Sequence, residues 1–361
     1  MDIIALICLA KGAQASDLHL CVTSPPIMRV HGKLQPVEGA EPLTDEDMEK
    51  IFKQITTEKE QVAFREWLEL DFSYSVPDIV RLRCNVALQK GTYAITMRLI
   101  SNVIPSFSEL NLPEVCKELA LKKRGLFIVS GPTGSGKSTT LAAMLDYLNH
   151  RESRRVVTVE DPIEYLYTNN KCIITQRELG EDTHSFVEAL KHVLRQNPDV
   201  ILVGEMRDLE TAAAVLTIAE TGHLVFTTGH APSASQAIER VVDLFPPHER
   251  PLAQARLASL LNAIFCQALV PKAQGDGRVP AVEIMIANPA VRNLIREGKI
   301  HQLPNMIRTN SRLGMRLLDD SLVYLFQKKM ITWENVQEFC NDHDEVEKLA
   351  NHSEKVFAMA N

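Results

Sequence analysis

The decapeptide GPTGSGKSTT at 131–140 limits what this chain can fold into more than any other stretch. It fits G-x-x-x-x-G-K-[ST] at Gly131, Gly136, Lys137 and Ser138. The apolar run GLFIVS (125–130) before it reads as a strand. Residues 137–149 after it read as a helix with Leu141, Leu145 and Leu148 on one face. A glycine-rich turn between strand and helix lets backbone N–H groups wrap phosphates, and the helix N-terminus adds partial positive charge. The predicted nucleotide-binding residues are therefore Thr133, Gly134, Ser135, Gly136, Lys137, Ser138 and Thr139. Lys137 would reach the β- and γ-phosphates, and Ser138 would bind Mg2+. A glycine turn that fits by chance is the bland alternative, and the flanking strand and helix weigh against it. The next residues keep the same order. Strands at 154–161, 200–203 and 224–228 alternate with helices at 184–196 and 209–220, which implies a parallel sheet with helices on its faces.

Two acidic clusters follow apolar strands in this region. VILV (200–203) runs into Gly204, Glu205 and Arg207. An unpaired charge at the end of a buried strand is costly, so something must hold Glu205. It would hold a magnesium-bound water or polarise the attacking water; the structural alternative is a salt bridge to Arg207 or Arg195. VEDPIE (159–164) crowds Glu160, Asp161 and Glu164 together, unfavourable unless a cation or guanidinium joins them. Glu164 is the preferred general base and Glu205 the competing choice. His223 and His230 bracket the strand at 224–228, and either would read the γ-phosphate, although a histidine there is more often simply packed and hydrogen-bonded.

Residues 1–100 mix short strands with one or two helices, an α+β pattern. Strands are expected at 16–22 and 26–37, the latter turning at HGK, and two more within 80–100 with Gly91 near the turn. Thr44 and Asp47 open a helix over 43–55. Arg81, Arg83 and Arg98 lie on these strands and suit stabilisation of a neighbour's phosphate; ordinary surface charge is at least as good a reading. Residues 101–113 carry two prolines and read as a linker, 114–361 as the second domain, mostly helical beyond about 250. In 287–303, Asn288 and Pro289 start a helix that Gly298 stops. Val291, Leu294 and Ile295 make its apolar face, and Arg292, Arg296 and Lys299 a basic one.

A net charge of −7 argues against non-specific nucleic-acid binding, which needs a basic face. The 7 cysteines include no C-x-x-C pair and suit free thiols in a reducing cytosol. MDIIALICLAKGAQ has Asp2 where a signal peptide wants a basic leader, and reads as an amphipathic first helix. No apolar run approaches the ~20 residues of a membrane span.

Taken in order, SDLHL, GPTGSGKSTT, VEDPIE, RQNPDVILVGEMRDLET, ETGHLVFTTGH and AVRNLIREGK resemble the secretion ATPase superfamily, and within it the type IV pilus retraction ATPases of the PilT family. The resemblance covers nearly the whole chain. It implies a small PAS-like α+β domain followed by a RecA-like P-loop ATPase domain with a parallel-centred sheet. It further implies a homo-hexamer with ATP and Mg2+ at subunit interfaces. Such a ring is cytoplasmic, docks at the inner face of the cytoplasmic membrane on a pilus platform protein, and drives pilus retraction. A paralogous retraction ATPase is a further candidate partner. The family's acidic-box glutamate falls on Glu164, its Walker B glutamate on Glu205 and its second box histidine on His230. Val291, Arg292, Leu294 and Ile295 lie in a helix that the resemblance ties to retraction. The chain departs from the family's usual G-T-L-H-T at Thr228, Gly229, His230, Ala231 and Pro232, and around 86–100. Rival readings are a PilU-like accessory retraction ATPase, a pilus-assembly or type II secretion ATPase, and a weakly catalytic regulatory ring.

Overall fold

A computed structural model describes the chain apart from residues 1, 31, 78, 101, 102, 275, 276, 360 and 361, and apart from the side chains of 352–359. Two compact units emerge: Met1–Val103 with Glu164–Leu166, and Ile104–Ile163 with Tyr167–Asn361.

The first unit contains α1 (Ile3–Gly12), β1 (Ala15–Cys21), β2 (Ile27–Val30), β3 (Lys33–Pro36), α2 (Asp45–Ile55), α3 (Glu58–Trp67), β4 (Glu69–Val76), β5 (Val80–Gln89) and β6 (Thr92–Ile100). Period-two alternation makes its sheet one-sided. Leu82, Cys84 and Val86 of β5 are buried, with Ile3, Ile7, Met48, Ile51, Phe52 and Phe64 of the helices in the same core. Arg81 and Arg83 point the other way. The six strands run β3-β2-β1-β6-β5-β4, antiparallel throughout. The expected opening of α2 is present: Thr44 accepts the Asp47 N–H and Asp47 accepts the Thr44 N–H. Of the HGK turn, His31 lies outside the described residues. The first segment is a helix with Ile3, Leu6, Ile7 and Ala10 buried. Among the described residues no helix is long and apolar enough to cross a membrane.

The second unit contains α4 (Val115–Ala120), β7 (Gly125–Ser130), α5 (Lys137–Arg151), β8 (Arg155–Glu160), β9 (Ile173–Glu178), α6 (Phe186–Val193), β10 (Val200–Glu205), α7 (Leu209–Glu220), β11 (Leu224–Thr228), α8 (Ala234–Asp243), α9 (Arg250–Leu260), β12 (Leu261–Pro271), β13 (Arg278–Ile286), α10 (Pro289–Arg296), α11 (Leu303–Thr309), α12 (Leu318–Gln327), α13 (Trp333–Phe339) and α14 (His343–Met359). Its sheet runs β13-β12-β7-β11-β10-β8-β9, parallel except for the β12–β13 pair. Val200–Val203 is apolar without a break because both faces are covered. Ile201 and Val203 pack with α6 and α7, while Val200 and Leu202 share a core with α5. This is the RecA-like α/β arrangement expected.

Two expectations need correction. The region beyond 250 is not mostly helical at its start: β12 and β13 fill 261–271 and 278–286 and extend the sheet. LNAIFCQALV is apolar apart from Asn262 and Gln267, which stand five residues apart, so it shows no alternation to separate strand from helix. The stretch 101–113 is not a free linker. Ser101 and Asn102 lie outside the described residues, and Phe107 and Leu112 are buried in the core of the second unit.

Candidate active site

The phosphate loop is shaped by close approach at its first residue. Gly131 has φ +139, and a Cβ there would lie 2.4 Å from the Gln267 carbonyl oxygen on β12. Only glycine lets β7 end there. The helix that follows is left open at its N-terminus. Side-chain caps close α6, α7, α8 and α10 at Ser185, Asp208, Ser233 and Asn288, whereas α5 starts behind Gly136 with no side-chain cap. The first N–H groups of α5, beside Ser138 and Thr139, thus remain for an external acceptor. Lys137 Nζ folds over the loop and donates to the carbonyls of Gly131 (2.9 Å) and Pro132 (3.0 Å). Ser135 Oγ is buried with no hydrogen-bond partner. Thr133 and Gly134 are exposed at the loop tip. An uncapped helix, a folded-back ammonium and an orphaned hydroxyl together fit a polyphosphate.

Glu205 ends β10 at the same edge of the sheet, with β11 between it and β7. Its side chain is 11% exposed and is held on both oxygens. Oε1 is ion-paired with Arg207, and Oε2 lies 3.0 Å from His230 Nε2. Of the two arginines considered, Arg207 takes the pair. The bond from Glu205 raises the Arg207 guanidinium above its ordinary range. Arg207 also stands 3.6 Å from Asp161 Oδ2, so one guanidinium joins both acidic clusters. Glu160 is satisfied separately, accepting from Thr158 Oγ1 at 2.6 Å. The sequence offered Arg207 only as a rival explanation for Glu205. Its bridging position depends on β8 and β10 being neighbours.

The two box histidines separate. His223 precedes β11 at the opposite end from His230, roughly 20 Å away at the rise of a strand. Its Nδ1 lies 2.9 Å from Thr221 Oγ1 and 3.1 Å from the Ile218 carbonyl. The expectation that either histidine would read the γ-phosphate is therefore corrected for His223, which serves the end of α7. Glu164 is exposed and belongs to the first compact unit. Among the described residues it makes no ion pair.

Arg83 and Arg98 are cross-strand partners on the open face of the first sheet. Arg98 Nε is 2.9 Å from Asp17 Oδ1, and Arg29 is 3.6 Å from the other oxygen of that buried carboxylate. Arg81 lies on the same face with its Nε buried. In α10, Asn288 caps the start and Gly298 (φ +72) follows the end, as expected. Val291 and Ile295 are fully buried and Leu294 partly so. The basic face is corrected at Arg292: its guanidinium donates to the carbonyls of Ala287, Ala258 and Ser259, tying α10 to the end of α9.

The family model described as "Type II/IV secretion system protein" matches residues 72–336. A Pseudomonas aeruginosa protein described as "Type IV pilus retractation ATPase PilT" is 46% identical over 338 residues, 94% of this chain and 98% of the relative. The type IV pilus ATPase PilU of the same organism is 40% identical over 320 residues, 89% of this chain and 84% of the relative. A crystal structure of the pilus retraction motor PilT with bound ADP superimposes with a TM-score of 0.89 at 42% identity, covering 96% of this chain and 99% of that one. With its phosphate loop, its acid-ended strand and these relatives, the chain belongs to the type II/IV secretion system protein family, among its PilT-type P-loop ATPases.

Proposed function

We propose that the chain is a hexameric, ATP-hydrolysing motor that powers type IV pilus retraction from the cytoplasmic face of the inner membrane, acting on a membrane-embedded platform protein. The observation that carries the ATPase reading is the arrangement at one sheet edge. An uncapped helix behind a glycine loop meets a carboxylate held ready by Arg207 and His230. The high identity to PilT along almost its whole length supports the retraction direction.

Thr133 to Thr139 wrap the phosphates, and Lys137 exchanges its loop carbonyls for phosphate oxygens. Ser138 and Glu205 would hold Mg2+. Among the described residues no group of three or more His, Cys, Asp or Glu is placed to bind a metal. When bound, Mg2+ neutralises charge on the transferring phosphate. A base needs a lone pair not committed to a cation. Both Glu205 oxygens are engaged, one by the Arg207 guanidinium and one by His230, while Glu164 makes no ion pair among the described residues, which favours Glu164 as the base. His230 reports the state of the site through Glu205, and arginines among Arg81, Arg83 and Arg98 stabilise charge across the subunit interface. The α10 residues Val291, Leu294 and Ile295 anchor that helix while its remaining face serves retraction.

Deleting the gene in its host and counting pili per cell by electron microscopy tests the direction. Surplus pili that no longer retract are expected. Bald cells would assign the ring to assembly instead, and normal retraction would leave an accessory role of the PilU kind.

A further inference from the structure

Ser130 is the last residue of β7, fully buried, and directly precedes the phosphate loop. Its hydroxyl donates to the Ala231 carbonyl and accepts the Ala231 N–H, both at 2.7 Å. One hydroxyl can do this because it carries a donor and two lone pairs. Ala231 directly follows His230. The same sheet row continues through Cys266 on β12 to Glu283 on β13, cross-strand partners with side chains on one face. Glu283 Oε1 accepts the Ala234 N–H at 2.7 Å. Burial pushes that carboxyl up. Two buried polar side chains of the row thus hold the segment 231–234 at both ends. Pro232, between them, has no N–H to satisfy. On the other side, the Gly229 N–H donates to the Val129 carbonyl at 2.9 Å. A Cβ at Gly229 would stand 3.2 Å from Ser130 Oγ, so the absence of a side chain keeps the hydroxyl clear for Ala231.

The backbone on either side of His230 is therefore fixed to β7 and its row, while the His230 ring meets Glu205 on β10. We infer that Ser130 is a positioning residue of the ATPase site: its hydroxyl fixes Ala231 and so holds His230 on Glu205, in register with the phosphate loop that begins one residue later. A shift of the loop on nucleotide exchange moves Ser130, and through Ala231 it reaches His230. The departures at Gly229 and Pro232 are compatible with this latch. The inference rests on the ATPase reading given above.

The test uses the full-length chain, measuring turnover and affinity for MgADP. Ser130→Ala is expected to lower kcat about tenfold or more, since a displaced catalytic group costs up to ~100-fold, with nucleotide affinity changed less than about threefold. Ser130→Thr keeps the hydroxyl and is expected to restore most of the turnover. In a His230→Ala background, Ser130→Ala is expected to add less than about a twofold loss, because residues acting through one another are non-additive. Wild-type kcat in Ser130→Ala, or an undiminished loss in the His230→Ala background, overturns the inference. If Ser130→Ala does not fold, Ser130→Cys decides: its weaker donor is expected to give an intermediate kcat, and wild-type kcat there is equally fatal. A wild-type chain that binds MgADP but does not turn over ATP removes the ATPase reading itself. Turnover in wild type with an unaffected Ser130→Ala removes this inference alone.

Discussion

At the scale of single residues, the site is a set of charges that rest on protein partners and are expected to trade them for phosphate. Lys137 lends its ammonium to two loop carbonyls, each a weaker partner than a phosphate oxygen. Lys137→Ala is expected to abolish measurable nucleotide binding; calorimetry showing unchanged affinity would contradict that. Glu205→Ala and Glu164→Ala are both expected to keep nucleotide and to lose turnover by about 100-fold or more, the usual worth of general acid–base or water-positioning groups. Near-normal turnover in one of them, read in a steady-state phosphate-release assay, leaves the role to the other. Lys137 and Ser138 were legible in the sequence because strand, loop and helix are contiguous, so local order alone builds that part of the site. Arg207 was not legible as a bridge, since its two carboxylate partners come from different strands.

At the scale of elements, polar side chains fix how neighbours meet. Arg292 reaches the last carbonyls of α9, and its own pKa is lowered by burial. Arg292→Ala is expected to destabilise the second unit by about 1–3 kcal/mol, the range for a charged hydrogen-bond donor, seen as a lower melting temperature. A change in retraction with unaltered melting would return Arg292 to the exposed basic face that spacing suggested. In the first sheet, burial pushes the Asp17 carboxyl up, but bonds from Arg98 and Ser16 outweigh it and hold it below the ordinary range. A lowered folded pKa gives stability that is complete above the unfolded value, near 3.9, and is lost as pH falls through the folded one. The stability gap between wild type and Asp17→Asn, followed by chemical denaturation, is therefore expected to shrink below about pH 4. A gap independent of pH would mean that Asp17 is not ionised in the fold. The cap at Thr44 and the stripe in α5 were readable from periodicity. The strands β12 and β13 were not, because a strand covered on both faces carries no alternation.

At the scale of the whole molecule, the proposed ring makes a demand that one chain cannot meet. Arg83 and Arg98 stand side by side on an open sheet face, and Asp17 takes Arg98. Arg83 is thereby the better candidate to act on a neighbouring subunit. Mixed rings of Lys137→Ala and Arg83→Ala subunits are expected to recover part of the turnover that each homogeneous ring lacks, because some interfaces then pair an intact loop with an intact arginine. Equal activity of the mixture and its components, by the same phosphate assay, would place Arg83 outside the interface.

The sequence alone determined the phosphate loop, the alternating α/β order around it and the α+β character of residues 1–100, because each is written in neighbours or in a period of two or about four residues. The tertiary structure alone decided that Arg207 joins Glu205 to Asp161, that His230 meets Glu205 while His223 does not, and that Ser130 grips Ala231. Those contacts join residues distant in the chain, and only strand order and register bring their side chains within hydrogen-bond reach.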